Sequence, residues 1–487
     1  MTVAQPGEEG IRDFDLILIG TGSAMNLLEP FLQAHPGARV AVIDKDPPGG
    51  ICLTRGCIPT KILVASADVV RTLQRAEEFG IHVSVQGVDF QRVMQRMRRH
   101  VHPEIESIRN ALASSGQVEY HATACEFVAP YTLRVGPVTI RGKTLFLCTG
   151  SRPLIPAIEG LEDTGYHTSD TILDLRKLPR RLAIIGGGYV AAEFAHFFCA
   201  MGSRVTILGR NPRFLPDEEP EVSELAQRML GRHVDIRTGI EVTSVRRDGN
   251  GDRVVRGKDA RGKAVEMKAD EILVAAGRAS NAGLLRPERG GIQTDPEGWI
   301  VVDEHLQASL PDVWAFGDAN GIHMFKHKAN AESMVVHENA ILGHRTRMDY
   351  HAVPHAVFTD PEIASVGLRQ EDAVRQLGKD RILVGHGLYE QTAKGQALGI
   401  RDCFVKVIVE RQTQRILGAH IIGPHASILI QEIVDLMHAP GQDAAPLQAA
   451  MHIHPALSEV VELAFARLRD PDAHGHALHP ARSPAHA

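Results

Sequence analysis

The sequence predicts an α/β protein with two doubly wound domains, each opening on a strand, a glycine turn, a helix and a second strand, followed by a C-terminal α+β domain. Three observations carry this. An apolar run meets a glycine-rich turn at residue 20, the pattern returns at residue 186, and from about residue 349 the texture changes to strand-type apolar runs. At 487 residues the chain also exceeds the size at which one core keeps growing, so two or three domains are expected.

The first unit begins with Phe14 to Ile19 (FDLILI), a short apolar strand that runs into Gly20-Thr21-Gly22-Ser23-Ala24; residues 1–13 are polar and expected to be loose. Apolar positions at Leu27, Leu28 and Phe31 read as a helix, and the strand Val40 to Ile43 ends at Asp44, 24 residues beyond Gly20. The second unit repeats the order about 166 residues later: strand Arg181 to Ile185, turn Gly186-Gly187-Gly188, helix Tyr189 to Ala200, strand Val205 to Leu208. Three further strands end in turns, Thr144 to Leu147 at Gly150, Glu271 to Ala275 at Gly277, and Val313 to Phe316 at Gly317-Asp318. Near the C-terminus, residues 404–409 and 415–423 read as antiparallel strands, with helices near 427–438 and 456–468. The tail from Pro471 is rich in His, Pro and Ala and is expected to be disordered.

Both glycine turns predict dinucleotide sites. Gly20 and Gly22 let the chain turn sharply and approach a pyrophosphate without a Cβ in the way, while the following helix N-terminus offers free N–H groups. Asp44 stands where a carboxylate accepts hydrogen bonds from a ribose. The third glycine position is Met25, which predicts looser packing of helix on strand. In the second unit Gly186 and Gly188 take the same roles, but the strand ends at Gly209 with no acid, and Arg210 and Arg213 follow. Guanidinium groups grip a 2′-phosphate that a carboxylate would repel, so NADPH is expected there.

The composition excludes several classes. With 53 Lys and Arg against 59 Asp and Glu the net charge is −6, and no basic block marks a nucleic-acid partner. Apolar runs are broken by charge or glycine before a membrane-spanning length, and the N-terminus lacks a cationic, apolar leader, so a cytoplasmic protein is expected. Of six cysteines, four are scattered among apolar residues and read as buried packing. Cys52 and Cys57 stand apart in GGICLTRGCIPTK, four residues between them, at the entrance to a helix whose positive end favours thiolate. No further ligands at zinc-type spacing accompany them, so redox exchange is expected and no metal site.

These residues together resemble the flavoprotein disulfide reductases, the class I pyridine nucleotide-disulfide oxidoreductases, over roughly residues 14–468. The resemblance rests on GTGSA at 20–24, GICLTRGCIPTK at 50–61, GGGYVAAE at 186–193, AAGR at 275–278, FGDAN at 316–320 and HIHPALSEVVE at 452–462. It implies two Rossmann-like nucleotide-binding domains and a dimerisation domain: an FAD domain over 1–155, an NAD(P) domain over 156–279, a return to the FAD domain over 280–348, and an interface domain over 349–470 that forms a homodimer, with 471–487 as tail. It implies that Asp318 binds the ribityl chain of FAD, that Cys57 is the flavin-proximal thiol and that Cys52 attacks the substrate. Lys61 and Glu193 resemble the ion pair beside the flavin. His454 resembles the acid/base, oriented by Glu459 and serving the partner's site, whereas His452 is expected to be structural.

The texture is closest to the mycothione reductase group, through GTGS, ILGR at 207–210 and KHKANAE at 326–332. The expected activity is NADPH-dependent reduction of a small thiol's disulfide, of the mycothiol, ergothioneine or glutathione type. A dihydrolipoamide dehydrogenase using NAD is the alternative. Quinone or metal-ion reduction remains a third reading, and a non-enzymatic flavoprotein would leave the cysteine pair without a purpose.

Overall fold

The computed structural model describes residues 10–474, so 475–487 of the expected tail lie outside the described residues. Pro471–His474 form a single 3₁₀ turn, tied down by an ion pair between Lys379 and Asp472.

The first sheet sets Val118–His121, Val40–Ile43, Arg12–Ile19 and Val138–Leu147 side by side, with Val313–Ala315 closing the parallel edge. Val40–Ile43 and the C-terminal ends of Arg12–Ile19 and Val138–Leu147 are apolar without a break because both faces are covered there. Leu16 and Leu18 enter one core with Val40, Val42 and Phe146, while Ile17 and Ile19 enter another with Ala41, Ile43 and Leu145. The first strand starts earlier than the expected Phe14. Arg12 and Asp13 already pair with Ile140 and Arg141, and a 2.8 Å Arg141–Asp13 ion pair fastens this end. After the turn, Ser23–Leu27 is 3₁₀ and only Leu28–Ala34 is α-helical, with Met25 half-buried at the third glycine position.

The second sheet is wholly parallel, in the order Asp235–Arg237, Arg204–Leu208, Arg181–Ile185 and Glu271–Val274. A three-stranded meander over 241–269 covers one face, where Val245, Val255 and Ala269 pack on Ala183, Ile185 and Leu208. The helix Tyr189–Met201 covers the other. It is buried almost all round because its outer side meets the helices Cys57–Gln74 and Phe90–Ser114, where Phe194, Phe197 and Phe198 join Leu63, Phe90 and Met94. The 25-residue helix Phe90–Ser114 was not anticipated; Asp89 caps it by accepting from the Arg92 N–H at 2.9 Å. The chain crosses between the two sheets through an antiparallel pair, Ser151–Pro153 against Arg278–Ser280.

Glycine is required at the head of both turns for one reason. Gly20 has φ +100° and a Cβ there would stand 2.1 Å from the Cys148 carbonyl oxygen; Gly186 has φ +128° and would meet the Ala275 carbonyl at the same distance. Each turn is pressed against the end of the neighbouring parallel strand.

The C-terminal sheet is antiparallel, ordered His355–Val357, Ile363–Gly367, Ile416–Ile422, Phe404–Glu410 and Ile382–Leu388, so the two expected strands pair as neighbours. Helices Ala426–His438 and Glu459–Phe465 cover one face. The other face is partly polar. Lys406 Nζ lies 2.6 Å from Glu219 and 3.1 Å from Glu221, and buried Glu218 accepts from Ser365 at 2.6 Å and pairs with His355 at 2.8 Å. These buried charges are matched across the boundary with the second domain, which is the condition for tolerating them there. Among the described residues, no helix is long and apolar enough to cross a membrane.

Candidate functional site

One cavity of about 1180 Å³ runs from the first glycine turn, past the cysteine pair, to the second. Its wall includes Gly20, Gly22 and Asp44 at one end, then Cys52, Cys57, Lys61, Gly150, Glu193, Gly317 and Asp318, then Gly186, Gly188, Arg210, Arg213 and Gly277. Every residue expected to hold a dinucleotide thus faces a single connected space.

The redox segment is pressed onto the first turn. A Cβ at Gly50, which has φ +69°, would stand 2.6 Å from Gly22 Cα, so the two backbones cross in contact. Cys52 lies in the short helix Gly50–Thr54, and Cys57 opens the helix Cys57–Gln74. Between them Arg55 is held by Asp46 and by Asp170 at 3.2 Å. Both cysteines are free thiols, Cys57 open to the cavity and Cys52 half-buried. The Cys52 thiol hydrogen-bonds the Cys57 sulfur, and this bond, helped by the Lys61 charge and opposed by burial, brings Cys57 down to about 7. The same bond, with burial, drives Cys52 far up. The pair therefore holds one proton near neutral pH, with the negative charge on Cys57.

Lys61 and Glu193 meet across the interhelical boundary at 2.7 and 2.8 Å, 132 residues apart in sequence. Glu193 also accepts from the Phe358 N–H at 3.1 Å, and the Lys61 ammonium sits 4.4 Å from the Phe358 ring centre. At Asp318, the Ser151 hydroxyl donates to the carboxylate and in turn accepts from Arg278 Nε. Among the described residues Arg278 Nη2 is buried in the cavity wall without a hydrogen-bond partner, a donor suited to a phosphate or carbonyl oxygen. Asp44 accepts from the Thr21 N–H and hydroxyl at 2.8 and 2.6 Å and from the Asp46 N–H at 3.0 Å. A carboxylate has about four acceptor positions, so roughly one is left for a ribose. Arg210 is exposed and Arg213 half-buried, and among the described residues neither has an ion pair or a side-chain hydrogen bond.

His454 and Glu459 do not line this cavity. His454 is 71% exposed at its side chain, and its Nδ1 lies 2.8 Å from Glu459 Oε1. A carboxylate only accepts, so Nδ1 carries the hydrogen and Nε2 is left as a base. The His454 contact is also the main reason the Glu459 carboxyl lies below its ordinary range. His452 instead sits near Glu432 and Glu462, at 3.7 and 3.6 Å.

A family model described as pyridine nucleotide-disulphide oxidoreductase matches residues 14–335, and the dimerisation domain of the same family matches 353–465. The chain belongs to the pyridine nucleotide-disulphide oxidoreductase family. It is a flavoprotein disulfide oxidoreductase working with a nicotinamide nucleotide, and its C-terminal part is the family's dimerisation domain. Similar proteins include a mycothione reductase of Mycobacterium tuberculosis, 35% identical over 94% of this chain and all of the relative. A dihydrolipoyl dehydrogenase of Synechocystis is 32% identical over 93% of this chain and 98% of the relative. Among solved structures, the HOCl-induced flavoprotein disulfide reductase RclA of Escherichia coli superposes with a TM-score of 0.81 at 29% identity, covering 93% of this chain and 99% of that one.

Several members of the site were not read from the sequence: Thr21 and the half-buried Lys326 in the cavity wall, and Ser151 behind it on Asp318. Outside the cavity, Asp349, His351 and His438 bring ligand-type atoms within 4.8 Å of one another. His351 uses Nδ1 on Asp349 and Nε2 on the Met437 carbonyl, so both its ring nitrogens are engaged, and the His438 ring meets it edge-on at 4.7 Å between centres.

Proposed function

We propose that this enzyme uses NADPH to reduce the disulfide of a low-molecular-weight thiol of the mycothiol, ergothioneine or glutathione type. The observation that carries the reading is the Cys52–Cys57 thiol pair, facing the cavity between two dinucleotide-type turns, with its charge on Cys57. Likeness to mycothione reductase along nearly the whole chain supports a small thiol as substrate. FAD in the first turn, when bound, relays an electron pair from the nicotinamide to the cysteines. On this reading Gly20, Gly22, Asp44, Gly150, Gly317 and Asp318 hold FAD, Gly186, Gly188 and Gly277 hold the nicotinamide nucleotide, and the domains divide as the sequence suggests.

The protein's own steps follow from the two sulfurs. Nε2 of His454 of the partner subunit takes the Cys52 proton as that sulfur attacks one sulfur of the substrate disulfide; the first thiol leaves with its bonding electrons and takes the same proton from His454 of the partner subunit. The Cys57 thiolate then attacks Cys52, closing the Cys52–Cys57 disulfide and releasing the second thiol, which is protonated from solvent. The two electrons gained by the substrate are those lost by the pair. Lys61 and Glu193 hold the cavity wall beside Cys57. Arg210 and Arg213, free of acidic partners, favour the 2′-phosphate of NADPH.

Two measurements test this. With purified enzyme, one small-thiol disulfide among mycothiol, ergothioneine, glutathione and bacillithiol should exceed the others by at least about tenfold in kcat/KM, roughly 1.4 kcal/mol of transition-state discrimination. The dihydrolipoyl dehydrogenase relatives support a second reading. Fast dihydrolipoamide oxidation with NAD, beside uniformly poor disulfide reduction, would install it instead. In stopped-flow reduction of the bound flavin, Arg210→Ala should weaken NADPH by about tenfold and leave NADH nearly unchanged, because only NADPH loses a charged hydrogen-bond partner. Equal losses with both nucleotides would remove Arg210 from phosphate binding.

A further inference from the structure

Three lysines reach the cavity wall, and they are not equivalent. Lys45 pairs with Asp46 at 2.8 Å and Lys61 with Glu193 at 2.7 Å. Lys326, the first residue of the helix Lys326–Val336, has only a hydroxyl: its Nζ donates to Ser23 Oγ at 2.9 Å, and Ser23 donates onward to Asn330 at 2.9 Å. Among the described residues it has no carboxylate partner. Two things disfavour an ammonium here, partial burial and the positive end of its own helix. The ammonium is anchored on Ser23, next to Gly22, whose Cα packs against Gly50 at the head of the Cys52 helix, so it stands beside the redox segment, and the charges of Cys52 and Cys57 favour its protonated form.

We propose that Lys326 is a positioning residue for the redox pair, supplying the uncompensated positive charge that holds the single negative charge of reduced Cys52 and Cys57. The inference rests on the reading of these cysteines as the redox pair. Other charges facing the pair come already balanced. On the Cys57 helix, Lys61 favours the thiolate, but Glu193, from the helix opposite, opposes it. Arg278, from the crossover pair, also feels Cys57 but is engaged with Ser151 and stands 3.9 Å from Asp318. Arg55, in the loop between the cysteines, is matched by Asp46 and Asp170. Lys326 has no such counterweight, and its charge lowers Cys52.

The test is iodoacetamide labelling of the reduced, full-length holoenzyme across pH, with labelling at Cys52 and Cys57 quantified by peptide mass spectrometry. Residue-by-residue readout keeps the other cysteines apart; burial in any case pushes Cys125 and Cys403 up to about 12. Lys326→Met should move the near-neutral midpoint up by about one pH unit, and Lys326→Arg should restore it. Lys326→Gln, which keeps a donor for Ser23 without the charge, should behave as the Met variant and serves if that variant folds poorly. An unchanged midpoint in folded Lys326→Met or Lys326→Gln overturns the proposal. Cys57→Ser separates the two levels. It should abolish the near-neutral step at Cys52; if that step persists unmoved, the reading of the pair falls and the Lys326 inference with it. If Cys57→Ser abolishes the step while the Lys326 variants leave it in place, only the inference falls.

Discussion

Cys52→Ala is expected to abolish turnover with every disulfide, by roughly four orders of magnitude or more in kcat, while leaving the protein folded and its flavin reducible by nucleotide. The size follows from the chemistry. Without the Cys52 sulfur no mixed disulfide forms with substrate, and no neighbouring group can stand in, since the other cysteines lie outside the redox segment or in the core. The flavin readout separates the two thiols. Cys52→Ala should keep the Cys57 thiolate and so a long-wavelength charge-transfer absorbance, and Cys57→Ala should remove it. The absorbance should grow as pH rises through about 7, because Cys57 is held below the ordinary thiol range by the Cys52 hydrogen bond and the Lys61 charge. Loss of the Cys52 thiol removes the larger of these influences, so in Cys52→Ala the transition should move to higher pH. Full reductase activity in Cys52→Ala would refute the interchange role, and retention of the band in Cys57→Ala would reverse the two assignments.

His454→Ala should cost about two to three orders of magnitude in kcat for disulfide reduction, the usual scale for a lost acid/base, with little change in flavin reduction by NADPH. The more telling result concerns which subunit the histidine serves. His454 does not line the cavity of its own chain, while Met451 and Ile453 beside it are 100% and 79% exposed. Apolar side chains presented that openly next to a polar pair are suited to cover by another surface, and this segment belongs to the dimerisation domain. In a symmetric dimer each His454 would complete the site opposite. Mixing unfolded Cys52→Ala and His454→Ala chains and refolding them together should therefore restore about a quarter of wild-type activity, since about half the dimers are mixed and each carries one intact site. No recovery from verified mixed dimers would assign His454 to its own chain or to no catalytic site. Glu459→Gln should lie between wild type and His454→Ala, because the amide can turn its oxygen toward Nδ1–H but cannot stabilise a charged imidazole as a carboxylate does.

How much of this was legible before the fold was known depends on the range of the interaction. Gly20 and Gly186 announce their turns because a Cβ at either would collide with a backbone carbonyl, a constraint written into residue type. The segment from Gly49 to Lys61 carries its own chemistry: two thiols, a glycine break at Gly56 and a helix beginning at Cys57. The runs 404–409 and 415–423 read as strands, and the strands Phe404–Glu410 and Ile416–Ile422 are buried on both faces. Boundaries were less legible. Arg12 and Asp13 looked like loose leader, yet a cross-strand ion pair with Arg141 draws them into the sheet.

What the sequence by itself determined is the list of parts: two glycine turns, a thiol pair, arginines where an acid is missing, and a histidine five residues before a glutamate. Only the tertiary structure decided that the first three face one connected cavity and that the histidine lies away from it in its own chain. It also revealed that Ser151 and Arg278 brace Asp318, that Thr21 occupies much of Asp44, and that Lys326 stands without a carboxylate while Lys61 has Glu193. The physical reason is that backbone shape is dictated by sterics within a few residues, whereas a charge is set by whatever folding brings within a few ångströms, here from positions as far apart as Ser23 and Lys326.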